Sequence, residues 1–110
     1  MEPIALAFTE GRFSYAQMER QGTIAIYRQQ HLSSGKGLRY EVVRIRVMKQ
    51  HTWPNGDVTP EHEGYPGASV WGRDGFTFFD LDTARIKMTQ WVTYLADTHR
   101  VSREESPYVL

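Results

Sequence analysis

Apolar and polar residues alternate along much of the first half of the chain, a pattern typical of β-strands. Two such stretches, 13–21 and 23–30, are separated by a Gln-Gly pair at 21–22 that suits a tight turn. These two stretches predict a β-hairpin. An apolar run at 4–8, closed by polar residues and a glycine at 9–11, predicts a shorter strand before it.

The segment 38–50 gives the clearest strand signal of the chain. Side chains alternate with period two along a strand, so three apolar residues share one face: Val43, Ile45 and Val47. The other face is more polar and carries Tyr40, Val42, Arg44, Arg46 and Met48. We expect the first face to lie beneath a helix and the second to be open to water.

Asp80 marks the start of the one predicted helix, because its carboxylate can accept hydrogen bonds from N–H groups of the first turn. Apolar residues then recur every three or four positions: Leu81, Ala84, Met88, Trp91, Val92 and Leu95. This stripe predicts a helix packed on a sheet. The sequence becomes polar after Asp97, so we expect one domain at 1–97 and a flexible tail at 98–110.

Regular patterning stops between 51 and 67, where prolines and glycines impose successive turns. Loops of this length are often functional or packed by their own side chains, and Trp53 and Tyr65 are suited to such packing. The segment predicts a long, ordered loop.

A second hairpin is predicted from 68–72 and 76–79, because the Asp-Gly pair at 74–75 suits a tight turn. Together these elements predict an α+β fold. It consists of a small antiparallel sheet of about four or five strands, with one long C-terminal helix packed on one face.

Composition limits the kinds of protein this chain can be. The 110 residues are 40% hydrophobic, and 13 basic residues balance 13 acidic ones, so no global field attracts nucleic acid or anionic lipid. Cysteine is absent, which excludes thiol chemistry and fits a reducing compartment. No apolar run approaches the ~20 residues that span a bilayer, and the N-terminus lacks a basic leader. We therefore expect a soluble, cytoplasmic protein that does not bind membranes.

Catalytic and metal-binding patterns are weak. The histidines form no H-x-x-x-H pair, and a hydroxyl nucleophile with a neighbouring base is not evident. One cluster in the loop, Glu61, His62 and Glu63, has no structural explanation at this level and leaves weak metal binding open. We predict no catalytic residue, no metal site and no cofactor, and hence no enzyme.

Arginine and aromatic residues are the types that dominate binding interfaces. The predicted partner-binding set combines the polar strand face with the loop: Tyr40, Arg44, Arg46, Trp53 and Tyr65. We therefore predict a small, non-enzymatic interaction module that binds a protein partner. Nucleic acid is the alternative partner, because guanidinium groups beside rings also contact phosphates and bases. Homo-oligomerisation stays open.

The tripeptide Trp71-Gly72-Arg73, followed by an Asp-Gly pair, an aromatic strand and a helix start, resembles the WGR domain of DNA-damage-responsive ADP-ribosyltransferases. That resemblance implies nucleic-acid contact through Trp71 and Arg73. It covers about fifteen residues.

A broader pattern spans most of the chain: Y-E-V-V-R-I-R at 40–46, Tyr65-Pro66, and W-G-x-x-G-F-T-F at 71–78. It resembles small proteins of uncharacterised function from bacterial genomes and their mobile elements. The resemblance implies a freestanding domain and no settled activity, and it assigns no functional residue. We separately expect a phage or mobile-element accessory protein that binds a host protein.

Overall fold

In a computed structural model, the backbone is described for residues 1–105 and the side chains through Asp97. The chain forms the following elements in order: β1 (Ala7–Glu10), β2 (Phe13–Gln21), β3 (Ile24–His31), β4 (Arg39–Arg44), β5 (Arg46–Met48), β6 (His51–Thr52), β7 (Val58–Thr59), β8 (His62–Gly64), a 3₁₀ turn (Ala68–Val70), β9 (Gly75–Phe78) and α1 (Leu81–Glu105). The main sheet is antiparallel, with strand order β1-β2-β3-β4-β9. The predicted α+β fold is confirmed.

The hairpin of β2 and β3 forms as the sequence predicts. It turns at Gly22, whose φ of 60° lies in the left-handed region that glycine adopts without strain. The first strand is displaced from its predicted position: β1 begins at Ala7, where it pairs with Ala16. Ile4, predicted to lie in that strand, instead lies in the segment before β1 and is buried in the core on the sheet face opposite the helix.

Helix α1 starts as predicted, because an Asp80 oxygen accepts a hydrogen bond from the Thr83 amide at 2.8 Å. All six residues of the apolar stripe pack against the sheet, around Ile24, Ile26 and Val42. The predicted flexible tail at 98–110 falls beyond the residues whose side chains are described, although the helical backbone continues to Glu105.

The prediction of which strand face lies beneath the helix is wrong. Val42 and Tyr40 pack on the helix side, whereas Val43 and Ile45 belong to a second core on the opposite face. Ile4, Phe8, Tyr65 and Trp71 complete that second core. Period-two alternation correctly divided the residues of β4 between two faces. It could not show which face meets the helix, because both faces are covered.

The predicted strand 38–50 is interrupted at Ile45, and the chain then leaves the main sheet. Residues 46–64 form an extended, antiparallel projection, which we call the arm. In the arm, β5 pairs with β8 at its base and β6 pairs with β7 near its tip. Most of the predicted irregular loop therefore forms the tip and the returning limb of this ribbon.

The predicted hairpin around residues 74–75 does not form. Residues 68–70 make a 3₁₀ turn, and β9 pairs with β4 rather than with the segment before it. Between them the chain turns tightly, with the Gly72 amide donating to the Gly75 carbonyl at 2.7 Å, and Trp71 packs so closely on Gly75 that a Cβ there would overlap the six-membered part of the indole ring. Gly75 thus allows the chain to fold back beneath the tryptophan.

Candidate functional site

A cleft of about 440 Å³ opens on the sheet face opposite the helix. Strands β1, β2 and β4 supply one wall, and the segment that follows the arm supplies the other. We refer to it as the Glu41 cleft. Its principal lining residues are Glu10, Tyr15, Glu41, Tyr65, Pro66 and Trp71.

Glu41 is the chemically distinctive residue of the cleft, because its side chain is only 8% exposed at the centre of a sheet. The Tyr65 hydroxyl donates a hydrogen bond to its Oε1 atom. Its Oε2 atom has no hydrogen-bond partner among the described residues and is not fully enclosed, because no enclosed side-chain oxygen in that part of the chain lacks a partner. Glu41 itself lines the cleft. Burial raises the pKa of Glu41 above its usual range, and the Tyr65 hydrogen bond offsets part of that effect.

Aromatic rings surround this carboxylate. The Tyr65 ring lies edge-on to Tyr27 at 5.1 Å and tilted against Tyr15 at 5.8 Å, measured between centroids. The Trp71 ring lies 6.5 Å from that of Tyr65, with planes nearly parallel. Burial and the neighbouring Glu41 carboxylate raise the pKa of Tyr65, so its hydroxyl is a permanent donor at neutral pH.

Trp71 is fixed on both edges of its ring. Its Nε1 donates to the Thr77 hydroxyl at 3.0 Å, and its six-membered ring lies over Gly75. One face of the indole therefore packs against Gly75. The ring is a wall of the cleft.

The charge balance of the cleft is negative. Glu10 is the second carboxylate that lines it, and its charge contributes to the raised pKa of Glu41. The charge of Arg39 acts on Glu41 and lowers its pKa slightly, but the Arg39 guanidinium lies over the Phe79 ring at 5.6 Å from the centroid. No lysine or arginine forms an ion pair with Glu41 in the part of the chain that the structure describes.

The arm is the second candidate site, since its large apolar side chains are about half exposed: Val47, Met48, Trp53 and Val58. Trp53 is held in place at the tip, where its Nε1 donates to the Thr59 hydroxyl at 2.9 Å and its ring meets His51 edge-on at 4.3 Å. These contacts orient the indole without covering it.

The base of the arm is fastened to the main sheet by one ion pair. Two nitrogens of Arg20 on β2 donate to the two carboxylate oxygens of Glu63 on β8, at 2.9 and 2.7 Å. The Ile4 amide donates to the same carboxylate at 3.1 Å. These hydrogen bonds hold the pKa of Glu63 at about 2.

Positive charge collects where β4 passes into the arm. Arg44, Arg46 and Lys49 are exposed, and none of them forms an ion pair with another described residue. Arg44 and Arg46 line a shallow depression of about 330 Å³ that also contains Asp74. This limb of the arm is accordingly both basic and apolar.

The five residues predicted to bind a partner do not share one surface. Tyr40 packs against the helix-side core, Tyr65 lies in the Glu41 cleft, and Trp53 is at the tip of the arm. Arg44 and Arg46 stay together near the base of the arm.

Trp71 and Arg73, the residues implied by the WGR resemblance, diverge from each other. Trp71 is in the cleft beside Tyr65, whereas the Arg73 side chain is 73% exposed and meets Asp74 at 3.3 Å. The structure thus joins Tyr65 and Trp71, which sequence reasoning had assigned to different hypotheses.

Sequence analysis missed Glu41 altogether. The available signal was its odd position in β4, which places it on the same face as Val43 and Ile45. A carboxylate in register with buried residues is a candidate functional group.

The structure explains one member of the cluster formed by Glu61, His62 and Glu63. Glu63 now has a structural role, since it accepts hydrogen bonds from Arg20 and from the Ile4 amide. Within the described residues, no group of three histidine or acidic side chains is arranged to hold a metal ion.

Comparison of the chain with protein-family models, with curated proteins and with solved structures finds no match. Within the part of the chain that is described, no helix has the length and apolar character needed to cross a bilayer.

Proposed function

We propose that this protein is a non-enzymatic interaction module that binds an acidic protein partner through its arm. The observation that carries the proposal is the exposure of four large apolar side chains on one anchored ribbon: Val47, Met48, Trp53 and Val58. Exposure of these side chains to solvent does not stabilise the free domain, whereas a protein interface would bury their apolar surface.

Two further features support an interface. The Arg20–Glu63 ion pair holds the arm to the sheet before any partner binds, which reduces the entropy lost on association. The unpaired Arg44 and Arg46 favour a partner whose surface is acidic around an apolar patch.

The same arginines would also contact phosphates, so nucleic acid is the competing partner. Trp71 favours the protein partner, because its ring is packed on Gly75 and bonded to Thr77 rather than free to stack on a base. The absence of cysteine fits a cytoplasmic setting. A phage or mobile-element accessory protein that binds a host protein would meet this description.

Photo-crosslinking tests the proposal. Benzoylphenylalanine replaces Thr52, which is exposed beside Trp53 on the arm, or Tyr94, which is 65% exposed on the helix. We expect the Thr52 position to capture one acidic host protein at saturating yield, and the Tyr94 position to capture far less of it. Equal capture at both positions, or a product that nuclease removes, would overturn the proposal.

The captured protein, once purified, allows the interface to be measured. Trp53→Ala should weaken binding by about tenfold or more, since buried tryptophans are frequent hot spots. Tyr94→Ala should leave the Kd unchanged. Affinity for a protein partner should fall only a few-fold between 50 and 200 mM salt, in contrast to the loss of roughly fortyfold expected if Arg44, Arg46 and Lys49 all contacted phosphates of a nucleic acid.

A further inference from the structure

We propose that the Glu41 cleft binds a primary alkylammonium group, with Glu41 as its counter-ion and the surrounding aromatic rings as its walls. This inference goes beyond the proposed function, because it assigns a site separate from the arm and requires no protein partner.

The geometry of Glu41 is the first argument. The side chain is more than nine-tenths buried, and its Oε1 atom is already occupied by the Tyr65 hydroxyl. Its Oε2 atom has no partner among the described residues and is not fully enclosed, and Glu41 lines the cleft. A partly desolvated carboxylate oxygen beside a cavity needs a donor, and a charged donor satisfies it best.

The lack of an internal counter-ion is the second argument. Glu10 adds a second negative charge at the cleft, and Arg39 is turned toward the Phe79 ring. Tyr15 and Tyr65 also face Glu41, and both remain neutral hydroxyl donors at physiological pH because burial raises the pKa of each. A bound cation would supply the charge that the domain itself does not.

The walls distinguish an organic cation from a metal ion. Tyr15, Tyr65 and Trp71 line the cleft, and the π-electrons of aromatic rings attract ammonium groups. Metal ions of the calcium or magnesium type require six or more oxygen ligands, and the described residues contain no acidic or histidine triad that would provide them.

The open oxygen also selects among ammonium groups. Glu41 Oε2 needs an N–H donor, which a quaternary ammonium lacks and a primary one provides. The cleft volume of about 440 Å³ exceeds that of the charged group alone. Pro66 and the rings can therefore line an attached methylene chain, whether it belongs to a free amine or to a lysine side chain.

An NMR titration of the ¹⁵N-labelled chain tests this proposal. The probes are n-butylammonium chloride, neutral n-butanol and sodium chloride at matched ionic strength. We expect n-butylammonium to give saturable shifts confined to the Glu10, Glu41 and Tyr65 amides and the Trp71 indole. Equal shifts with n-butanol, or uniform shifts that sodium chloride reproduces, would overturn the proposal.

A pair of charge-matched variants completes the test. Glu41→Gln keeps an oxygen for the Tyr65 hydroxyl and should weaken n-butylammonium binding by about tenfold or more. Glu61→Gln removes the same charge from an exposed position on the arm and should have no effect. Unchanged binding by Glu41→Gln that still folds, as judged by its amide spectrum, would refute the assignment.

A second pair of ligands distinguishes an ammonium group on a lysine side chain from one on a free amine. A peptide with a central lysine should bind more tightly than its acetyl-lysine counterpart if the natural ligand is a protein side chain. Binding of n-butylammonium without binding of the lysine peptide would assign a free amine instead. The proposal fails if none of the three ligands with a free amino group binds: n-butylammonium, the lysine peptide and cadaverine.

Discussion

A carboxylate buried among aromatic rings lowers the stability of a domain when it is ionised, because its lost hydration is incompletely replaced. Glu41 is such a group, and the Tyr65 hydroxyl compensates it only in part. Residues of this kind persist where function requires them. The proposed binding role of the cleft would explain why a destabilising carboxylate is kept at position 41.

Replacement of Glu41 by glutamine should therefore stabilise the protein at neutral and alkaline pH. The folded-state pKa of Glu41 lies above the unfolded value of about 4.3. The contribution of Glu41 to the free energy of unfolding is therefore most favourable below that pH, where the carboxyl is protonated in both states. It is lost as the pH rises through the raised pKa and the buried group ionises. In thermal melts, Glu41→Gln should match the wild-type protein near pH 4 and exceed it at pH 8. A lower melting temperature than wild type at pH 8 would contradict this account.

Residue-scale prediction from sequence succeeded where local chemistry decides the outcome. Asp80 was identified as the helix cap because a short acidic side chain meets free N–H groups wherever a helix begins. Glu41 was missed because its role depends on Tyr65 and Trp71, which approach it only after the sheet has formed.

At the scale of elements, the base of the arm is held by the Arg20–Glu63 ion pair together with backbone hydrogen bonds between Glu2 and residues 61 and 63. Replacement of either Arg20 or Glu63 by glutamine should destabilise the protein at pH 7, and a double-mutant cycle should give a coupling of about 1 kcal/mol. Urea unfolding measures the free energies. Additive effects in the cycle would show that the pair does not couple.

The same pair predicts an acid-sensitive arm. Because the pKa of Glu63 is held at about 2, its stabilisation is complete above the unfolded pKa of about 4.3 and is lost as pH falls toward 2. The difference between wild type and Glu63→Gln should therefore shrink between pH 4.5 and pH 2. A difference that stays constant over this range would refute the assignment.

The packing of Trp71 on Gly75 is a second contact between elements. Gly75→Ala should destabilise the protein by about 1–3 kcal/mol, since the added methyl overlaps the indole and the ring must leave the cleft wall. Gly67→Ala is the matched control, because a Cβ there meets nothing within 4 Å and its φ of −76° suits any residue. Denaturant melts compare the two variants, and equal stabilities would argue against the packing.

Element prediction was accurate where periodicity alone determines structure. Local sequence was sufficient to predict the apolar stripe of α1 and the β2–β3 hairpin. The side of β4 that meets the helix could not be deduced, because Val42 and Val43 are equally apolar and both faces are buried. Residues 51–64 of the arm were predicted to be a loop, since their strands are two or three residues long and prolines at 54 and 60 separate them.

At the scale of the whole molecule, the sheet is covered on both faces and the predicted open face does not exist. The helix covers one side of β3, β4 and β9, and the N-terminal segment with residues 65–71 covers the other. Solvent-exposed binding chemistry is therefore displaced from the sheet onto the arm and into the Glu41 cleft.

Hydrogen exchange shows whether the arm is the surface that a partner covers. Exchange is measured on the full chain, alone and with the purified protein captured by crosslinking. We predict that the partner slows amide exchange across residues 46–64 and leaves β2 and the outer face of α1 unchanged. Protection confined to α1 or to β1 and β2, with the arm exchanging as in the free protein, would contradict the account.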